Sequence, residues 1–485
     1  MKKEDNKTLQ RQLSPTHVWA LAFGCIIGWG SFVNPGKKFL PNSGAAGTAI
    51  AMVLGAIVMI IIAYSYAYMI PKYPKAGGEF TFTKECFGKN TAFVCGWFLI
   101  AAYLTNVPMN STAIALIVDG IDGSADILKF GFHYSIAGFE IYLGEMLLAM
   151  SILILFGILN ILGVKKAAFI QTVLSVILVS SVIILAFSAL ISSKVQGINM
   201  EPIWGFDKAA AMAAGASTEN ISEFAKGGAG GILSAILATF AIAPWAYVGF
   251  DAIPQAAEEF KFSYKKVIFI MVIAILFGCF VYTSNNTIAA AALENWPERV
   301  MAGEWVLLVA AEEIVGVFGK ILIGTAVSCA VLSGIMGFYL ASSRLMYSMA
   351  KEAYLPGIFG KIDSKYGTPR NAIIFCIIIS LSGPILGREA LGWFVDMSAI
   401  GASMGFFFTS ASALKKLNSD RDGNKLFTVM SVLGIAFSVI FMILQLIPIP
   451  GLSGVHFGKE SYFMLLVWIA IGAIFYFIKK KTIAK

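Results

Sequence analysis

Few side chains inside the apolar stretches of this sequence can do chemistry, and three of them are acids. Asp251 lies in the run GILSAILATFAIAPWAYVGFDAIPQAAEEF (231–260), Asp396 in WFVDMSAIG, and Glu145 near the end of another apolar run. A charge at the centre of a bilayer costs at least ~2.5–3.5 kcal/mol, so an acid there is a functional candidate by default. Asp251 has four possible uses: to gate a path, to pair with a basic substrate group, to carry a proton, or to cap a half-helix that begins beside it. Asp396 starts its run and reads as interfacial. Glu145 reads as structural.

Other chemistries lack their parts. His17, His133 and His456 stand at or beyond the ends of apolar runs, which argues against an intramembrane imidazole relay. Cys25, Cys86, Cys95, Cys279, Cys329 and Cys376 form no CxxC or Cys/His metal spacing and read as small packing residues, with Cys86 in a loop. No GxxxxGK[ST] occurs to cradle a nucleotide. The expectation is therefore no enzyme, no cofactor and no resident metal.

Backbone chemistry is better represented. The stretch AFGCIIGWGSFVNPGKKFL (22–40) carries Gly24, Gly28, Gly30, Pro35 and Gly36, and the 231–260 run carries Pro244, Gly249 and Pro254 around Asp251. Interior prolines remove a donor and clash with the preceding turn, and glycine lowers the cost of unwinding. A helix broken in this way offers free N–H groups at one new end and free carbonyls at the other. In lipid such backbone survives only where it is buried or lines a cavity. A kink or a close helix contact is the plainer reading of either break alone. Together, donors and acceptors of this kind suit a zwitterion.

The elements that must position these breaks follow from composition. The 485 residues are 58% hydrophobic and 13% charged, with mean hydropathy +0.79. Soluble domains run about 45–50% apolar and about 25% charged, so the surplus must face lipid. A crossing helix needs about 20 apolar residues, and stretches of that order cover 17–41, 44–70, 91–118, 140–162, 166–192, 229–257, 266–293, 317–350, 371–387, 390–414, 426–447 and 461–478. These predict an all-α integral membrane protein of twelve crossings with both termini on one side.

Loop charge sets which side. About 26 of the 36 Lys and Arg fall on the terminal side, from Lys2, Lys3, Lys7 and Arg11 through Lys72–Lys89, Arg344–Arg370 and Lys415–Lys425 to Lys479–Lys485, which places both termini in the cytoplasm. The same count disperses the net charge of +8 over short loops beside anionic lipid, which excludes a nucleic-acid patch. The polar start, MKKEDNKTLQRQLSPTH, predicts a retained first helix rather than a cleaved signal. The polar interruptions 119–139, 193–228 and 294–316 fall outside, and 203–226 could form a helix on the outer surface.

The two breaks occupy matching places. If 17–193 (spans 1–5) and 229–415 (spans 6–10) are repeats, an odd number of crossings inverts the second relative to the first, and each begins with a broken helix. That arrangement is the best sequence pointer to a transporter site. The remaining segments would be a cytoplasmic tail (1–16), an outer loop (194–228), and two extra helices with the C-terminal tail (416–485).

At these residues the chain resembles the amino acid–polyamine–organocation (APC) transporter superfamily. The resemblance covers spans one to ten and rests on GCIIGWGSFVNPG (24–36), PKYPKAGGEFTF (71–82) with FGKNTAFVCGW (87–97), PWAYVGFDAIPQAAEEFK (244–261) and ASSRLMYSMAKEAYLP (341–356) in order. It implies a LeuT-type 5+5 inverted repeat and an amino acid permease of the plasma membrane. It implies that N–H groups of Gly28, Trp29, Gly30 and Ser31 bind the substrate carboxylate. Carbonyls of Ile26, Trp245 and Val248 would bind the amine, and the Trp245 ring would pack on the substrate. Tyr247, Gly249, Asp251 and Phe338 would wall or gate the pocket. Relatives usually carry Ser or Ala where this chain has Trp29, so the indole either turns away against a neighbouring helix or fills part of the pocket. The coupling partner could be a proton, a counter-substrate or sodium. A sodium site would use Ser328 and Ser333, and the lysine some relatives carry in span five is missing from 171–185. A polyamine or organic-amine antiporter and a transporter-like sensor are the alternatives. A weak preference falls on a neutral amino acid.

Overall fold

The computed structural model describes residues 9–122, 126–136, 139–217, 220–387, 390–449 and 456–483. The basic tail residues Lys2, Lys3 and Lys7, and Lys485, lie outside them. The chain starts with α1 (Pro15–Ile26), where Ser14 accepts a hydrogen bond from His17 N and Pro15 fills the first helical position. After the interruption at 27–29 come α2 (Gly30–Asn34), a π-turn (Pro35–Phe39) and α3 (Leu40–Lys72). Helix α4 (Gly78–Phe87) precedes α5 (Lys89–Leu104) and α6 (Asn106–Asp122), then a hairpin of β1 (His133–Ile136) and β2 (Phe139–Tyr142). Helices α7 (Leu143–Ile161), α8 (Val164–Ile191) and the short α9 (Lys208–Ala213) follow.

The second half opens with α10 (Gly228–Phe240) and α11 (Ala243–Tyr247), then 3-10 turns at Phe250–Ala252 and Pro254–Glu259. Next are α12 (Val267–Ala291), α13 (Trp296–Met301), α14 (Val306–Val315) and the 35-residue α15 (Val317–Lys351). The chain ends with α16 (Arg370–Ser380), α17 (Ser382–Leu386), α18 (Ala390–Ser419), α19 (Lys425–Leu446) and α20 (Lys459–Ile483).

Among the described residues, ten helical segments are long and apolar enough to cross a membrane, and Pro15–Ile26 and Arg370–Leu386 are shorter apolar helices. This is a multi-pass, all-α membrane protein save for the one hairpin. Its outer ring is greasy: Phe187, Leu190, Phe269, Phe463 and Leu466 are each more than 60% exposed, a face that only lipid satisfies. Helix α15 runs through the middle, packed on α1, α5, α6 and α8, while α3 packs on α10, α12 and α19.

Several expectations change. The first two stretches are joined in one run from Gly30 to Lys72, divided at Gly44, whose φ of 61° is left-handed. A Cβ there would strike the Ile203 carbonyl, and Phe206 N bonds Pro41 O at 2.8 Å, so the 201–206 loop is pressed onto the kink. The segment 203–226 forms no surface helix of its own length. Among its described residues it contains only the six-residue α9, capped by Asp207, and a 3-10 turn, because small residues and Gly215 interrupt it. The interruption 294–316 is mostly helical, and α14 buries Val306, Leu307, Leu308, Ala310 and Ala311. Cys86 sits on α4, not in a loop. Arg344, counted above among the loop charges, is 1% exposed within α15.

Candidate functional site

Helix α1 ends because Ile27 leaves helical geometry at φ −96°, ψ 103°. Gly28 and Trp29 carry the chain to α2, and the N–H groups of Gly28, Trp29 and Gly30 find no acceptor among the described residues. Ser31 N reaches Gly28 O at a long 3.3 Å, and its hydroxyl donates to the same oxygen at 3.0 Å. The second break begins after α11. Val248 turns to ψ 129° and Gly249 takes φ 137°, a left-handed conformation side chains rarely adopt.

The two breaks touch. A Cβ on Gly249 would lie 2.6 Å from both Cys25 Cβ and Ile26 N, and the 3-10 turn Phe250–Ala252 packs on α1. A Cβ on Gly30 would collide with the Trp245 ring, so the indole covers the start of α2. The carbonyls of Ile26 and Val248 have no N–H donor among the described residues, whereas that of Trp245 accepts from Val248 N at 3.2 Å. Unpaired donors of 28–30 thus stand beside unpaired acceptors of Ile26 and Val248, all buried save Gly28, which is half-buried.

The remaining candidates divide. Trp29 is buried, its ring centroid 6.4 Å from that of Trp245, so the indole faces the second break instead of turning away from it. Tyr247 is drawn off: its hydroxyl donates to Met52 O at 2.7 Å and holds α11 on α3. Phe338 stacks on Tyr103 at 6.4 Å. Ser333 donates toward Gly24 O at 3.3 Å, whereas Ser328 is more than a turn away and partly exposed. Gln171 lies in the stretch that lacks a lysine, and its amide donates to Ala20 O at 3.2 Å. Asp396 accepts from Ser461 at 2.6 Å, and Glu145 is buried in the first turn of α7.

Asp251 is fully buried. Its Oδ1 accepts from Gly249 N at 2.6 Å, so it caps the broken backbone. Its Oδ2 lies 3.1 Å from the Tyr103 hydroxyl, which also approaches Asp251 O at 3.0 Å and Glu79 Oε1 at 3.1 Å. Glu79, on α4, is fully buried too, and accepts from Tyr66 at 2.9 Å and from Gln255 at 2.6 Å. Nearby, Arg344 Nε donates to Glu259 Oε1 at 2.9 Å, and Gln12 N and Leu13 N both bond Glu259 O. The N-terminal segment is thereby tied down, with Leu9 and Leu13 buried.

Sequence reasoning missed Glu79, Tyr103 and the Arg344–Glu259 pair. The available signal was the acid directly after Gly77-Gly78, since two left-handed glycines (φ 95° and 42°) can turn the chain inward there. On the opposite side of the break, a cavity of about 410 Å³ is lined by Val33, Lys37, Asp119, Glu304, Trp305 and neighbours. Trp305 Nε1 donates to Phe32 O at 2.8 Å and so joins this cavity to α2.

The comparisons agree with this architecture. The family described as amino acid permease matches residues 13–475. The branched-chain amino acid permease BcaP of Bacillus subtilis (strain 168) is 24% identical, over 99% of this chain and 95% of its own. The methylthioribose transporter of the same organism is 25% identical, over 98% and 94%. The large neutral amino acids transporter small subunit 2 of Homo sapiens is 27% identical, over 77% of this chain and 64% of its own.

Proposed function

The chain belongs to the amino acid permease family, and from that premise we propose that it carries a neutral amino acid across the plasma membrane as a secondary transporter. The observation that carries this reading is the contact of the two breaks, Gly249 against Ile26, with unpaired N–H groups of 28–30 on one side and unpaired carbonyls of Ile26 and Val248 on the other. The N–H groups of Gly28, Trp29, Gly30 and Ser31 bind the carboxylate, where the start of α2 adds its positive end. The carbonyls of Ile26 and Val248 bind the ammonium. Trp245 and Trp29 enclose the side chain, and Asp251, engaged with Gly249 and Tyr103, leaves no free charge for a basic or acidic group.

The topology that goes with this function has twelve crossings. Pro15–Ile26 and Gly30–Ser43 make one interrupted crossing that ends at the Gly44 turn, and Arg370–Leu386 makes another. Segments 17–193 and 229–415 are the inverted repeats, with both termini cytoplasmic. The tied N-terminal segment and the cavity beside Trp305 support a state closed to the cytoplasm. Alternating access then requires the turns after Gly249 to part from the N-terminal segment.

Purified protein in proteoliposomes tests this. Labelled L-leucine, L-alanine, L-lysine, L-glutamate, putrescine and methylthioribose are offered separately. Saturable uptake of a neutral amino acid is expected, and Gly28→Leu, whose side chain would run into Asn110, abolishes binding while the protein still inserts. Uptake of methylthioribose or putrescine without any amino acid would overturn the zwitterion site.

A further inference from the structure

We propose that Glu79, Tyr103 and Asp251 form a proton-binding site in which one proton is shared between two buried carboxyls, and that its uptake and release drive the transport cycle. The second half rests on the transporter reading above; the first does not.

The cluster has more acceptors than hydrogens. The Tyr103 hydroxyl has one proton to donate, yet Glu79 Oε1 and Asp251 Oδ2 both lie 3.1 Å from it. If both acids were ionised, one of these contacts would set a carboxylate lone pair against a phenol lone pair. A single added proton on Glu79 resolves it: that carboxyl donates to the phenol oxygen, and the phenol donates toward Asp251, whose Oδ2 and backbone O both face it at 3.1 and 3.0 Å. Like charges held this close disfavour joint ionisation in any case.

Among the described residues, no Lys or Arg side chain hydrogen-bonds to either acid. The groups facing the pair are Cys25 from α1, Tyr66 from α3, Cys95 and Tyr103 from α5, and Gln255 from the turn after the break, with Thr83 of α4 behind Cys95 and Thr409 of α18 behind Tyr66. From α15 come Phe338, stacked on Tyr103, and Arg344, which is bound to Glu259. Among the described residues, Arg344 is the one cation that is buried. The second break is thus held to α4 and α5 by bonds that depend on one proton. Gln255 and Asp251 belong to the segment that must move, and Glu79, Tyr66 and Tyr103 belong to the helices it leaves. Losing the proton puts two anions on one phenol and favours separation, whereas regaining it favours closure.

Two measurements on the purified full-length protein test the site. Infrared difference spectra in lipid, stepped from acidic to alkaline pH, follow the carbonyl stretch of protonated carboxyls and need no substrate. Wild type should keep a component of that band at neutral pH. It should be lost in Glu79→Gln, which removes the acid that holds the proton and leaves Asp251 an anion bonded by Gly249 N and Tyr103, and it should shift in Asp251→Asn, where the buried Glu79 keeps its proton beside a changed partner. Tyr103→Phe, which keeps the ring's packing, should shift it. A band unchanged in all three variants overturns the site. The second measurement is L-leucine uptake into proteoliposomes with and without an inward acid gradient. One pH unit is worth about a tenfold accumulation at one proton per substrate. Wild type should approach that stimulation, and Glu79→Gln should show none. Stimulation retained in Glu79→Gln and Asp251→Asn overturns the coupling. Failure of wild type to exchange any amino acid would fall on the transporter reading, and the infrared result then decides the proton site by itself.

Discussion

At Gly249 the backbone needs a left-handed φ and a neighbour at 2.6 Å in the same residue, and glycine alone supplies both. Gly249→Ala should therefore destabilise the protein by about 1–3 kcal/mol. Gly392→Ala, in α18 where a Cβ meets nothing within 4 Å, should be neutral or stabilising by up to about 1 kcal/mol. Thermal melting of the two purified variants beside wild type checks the ranking, and equal melting points would refute the strain. Both breaks were legible in the sequence because Gly and Pro inside an apolar run have few other uses. Glu79 was not, because an acid beside glycines and lysines reads as a solvated turn. Only the packing of α4 against α5 and α18 shows that it points inward. Tyr103 was hidden for the opposite reason, as an aromatic in an apolar helix looks like core.

The element after the second break has little helix of its own. Residues 250–259 form two 3-10 turns, so their position depends on what grips them. Arg344 of α15 does so through Glu259, both at most 1% exposed. Removing one partner from a buried pair typically costs about 3–5 kcal/mol, while an apolar replacement of both is often tolerated. Glu259→Leu alone should therefore yield little folded protein, and Glu259→Leu with Arg344→Met should recover most of it. Fluorescence-detected gel filtration reads the yield. A double variant as poor as the single would mean that the pair is needed for more than its own charges. At the exposed end of α18 a different clamp operates: Lys416 and Lys72 hold the Asp420 carboxyl below its usual range. Being solvated, that contact adds little. The motif around Arg344 was visible in the sequence, yet its arginine read as a loop charge because it lies near the lysines that follow it.

Across the whole molecule, the all-α membrane class followed from hydropathy, but the division into segments did not. Gly44 separates two apolar stretches without any polar gap, and α13 and α14 cover the bundle where a polar connector was expected. Hydropathy measures how apolar a segment is, and cannot tell lipid from protein as its neighbour. The orientation is open to direct measurement. In sealed right-side-out vesicles, epitope tags at both ends should resist external protease, and a site placed at Ala216 in the 201–227 loop should be cut. Digestion of both tags would reverse the orientation, and digestion of one alone would refute an even number of crossings.

The two indoles at the breaks, 6.4 Å apart, also give the site an optical signal. Any molecule that enters between Trp29 and Trp245 changes their separation and the polarity around them, so occupancy alters their emission without a label. Seven other tryptophans contribute background, since the chain has nine in all. The difference between wild type and Trp29→Phe isolates the local contribution. Candidate ligands can then be ranked by titration in a cuvette, before any vesicle is made.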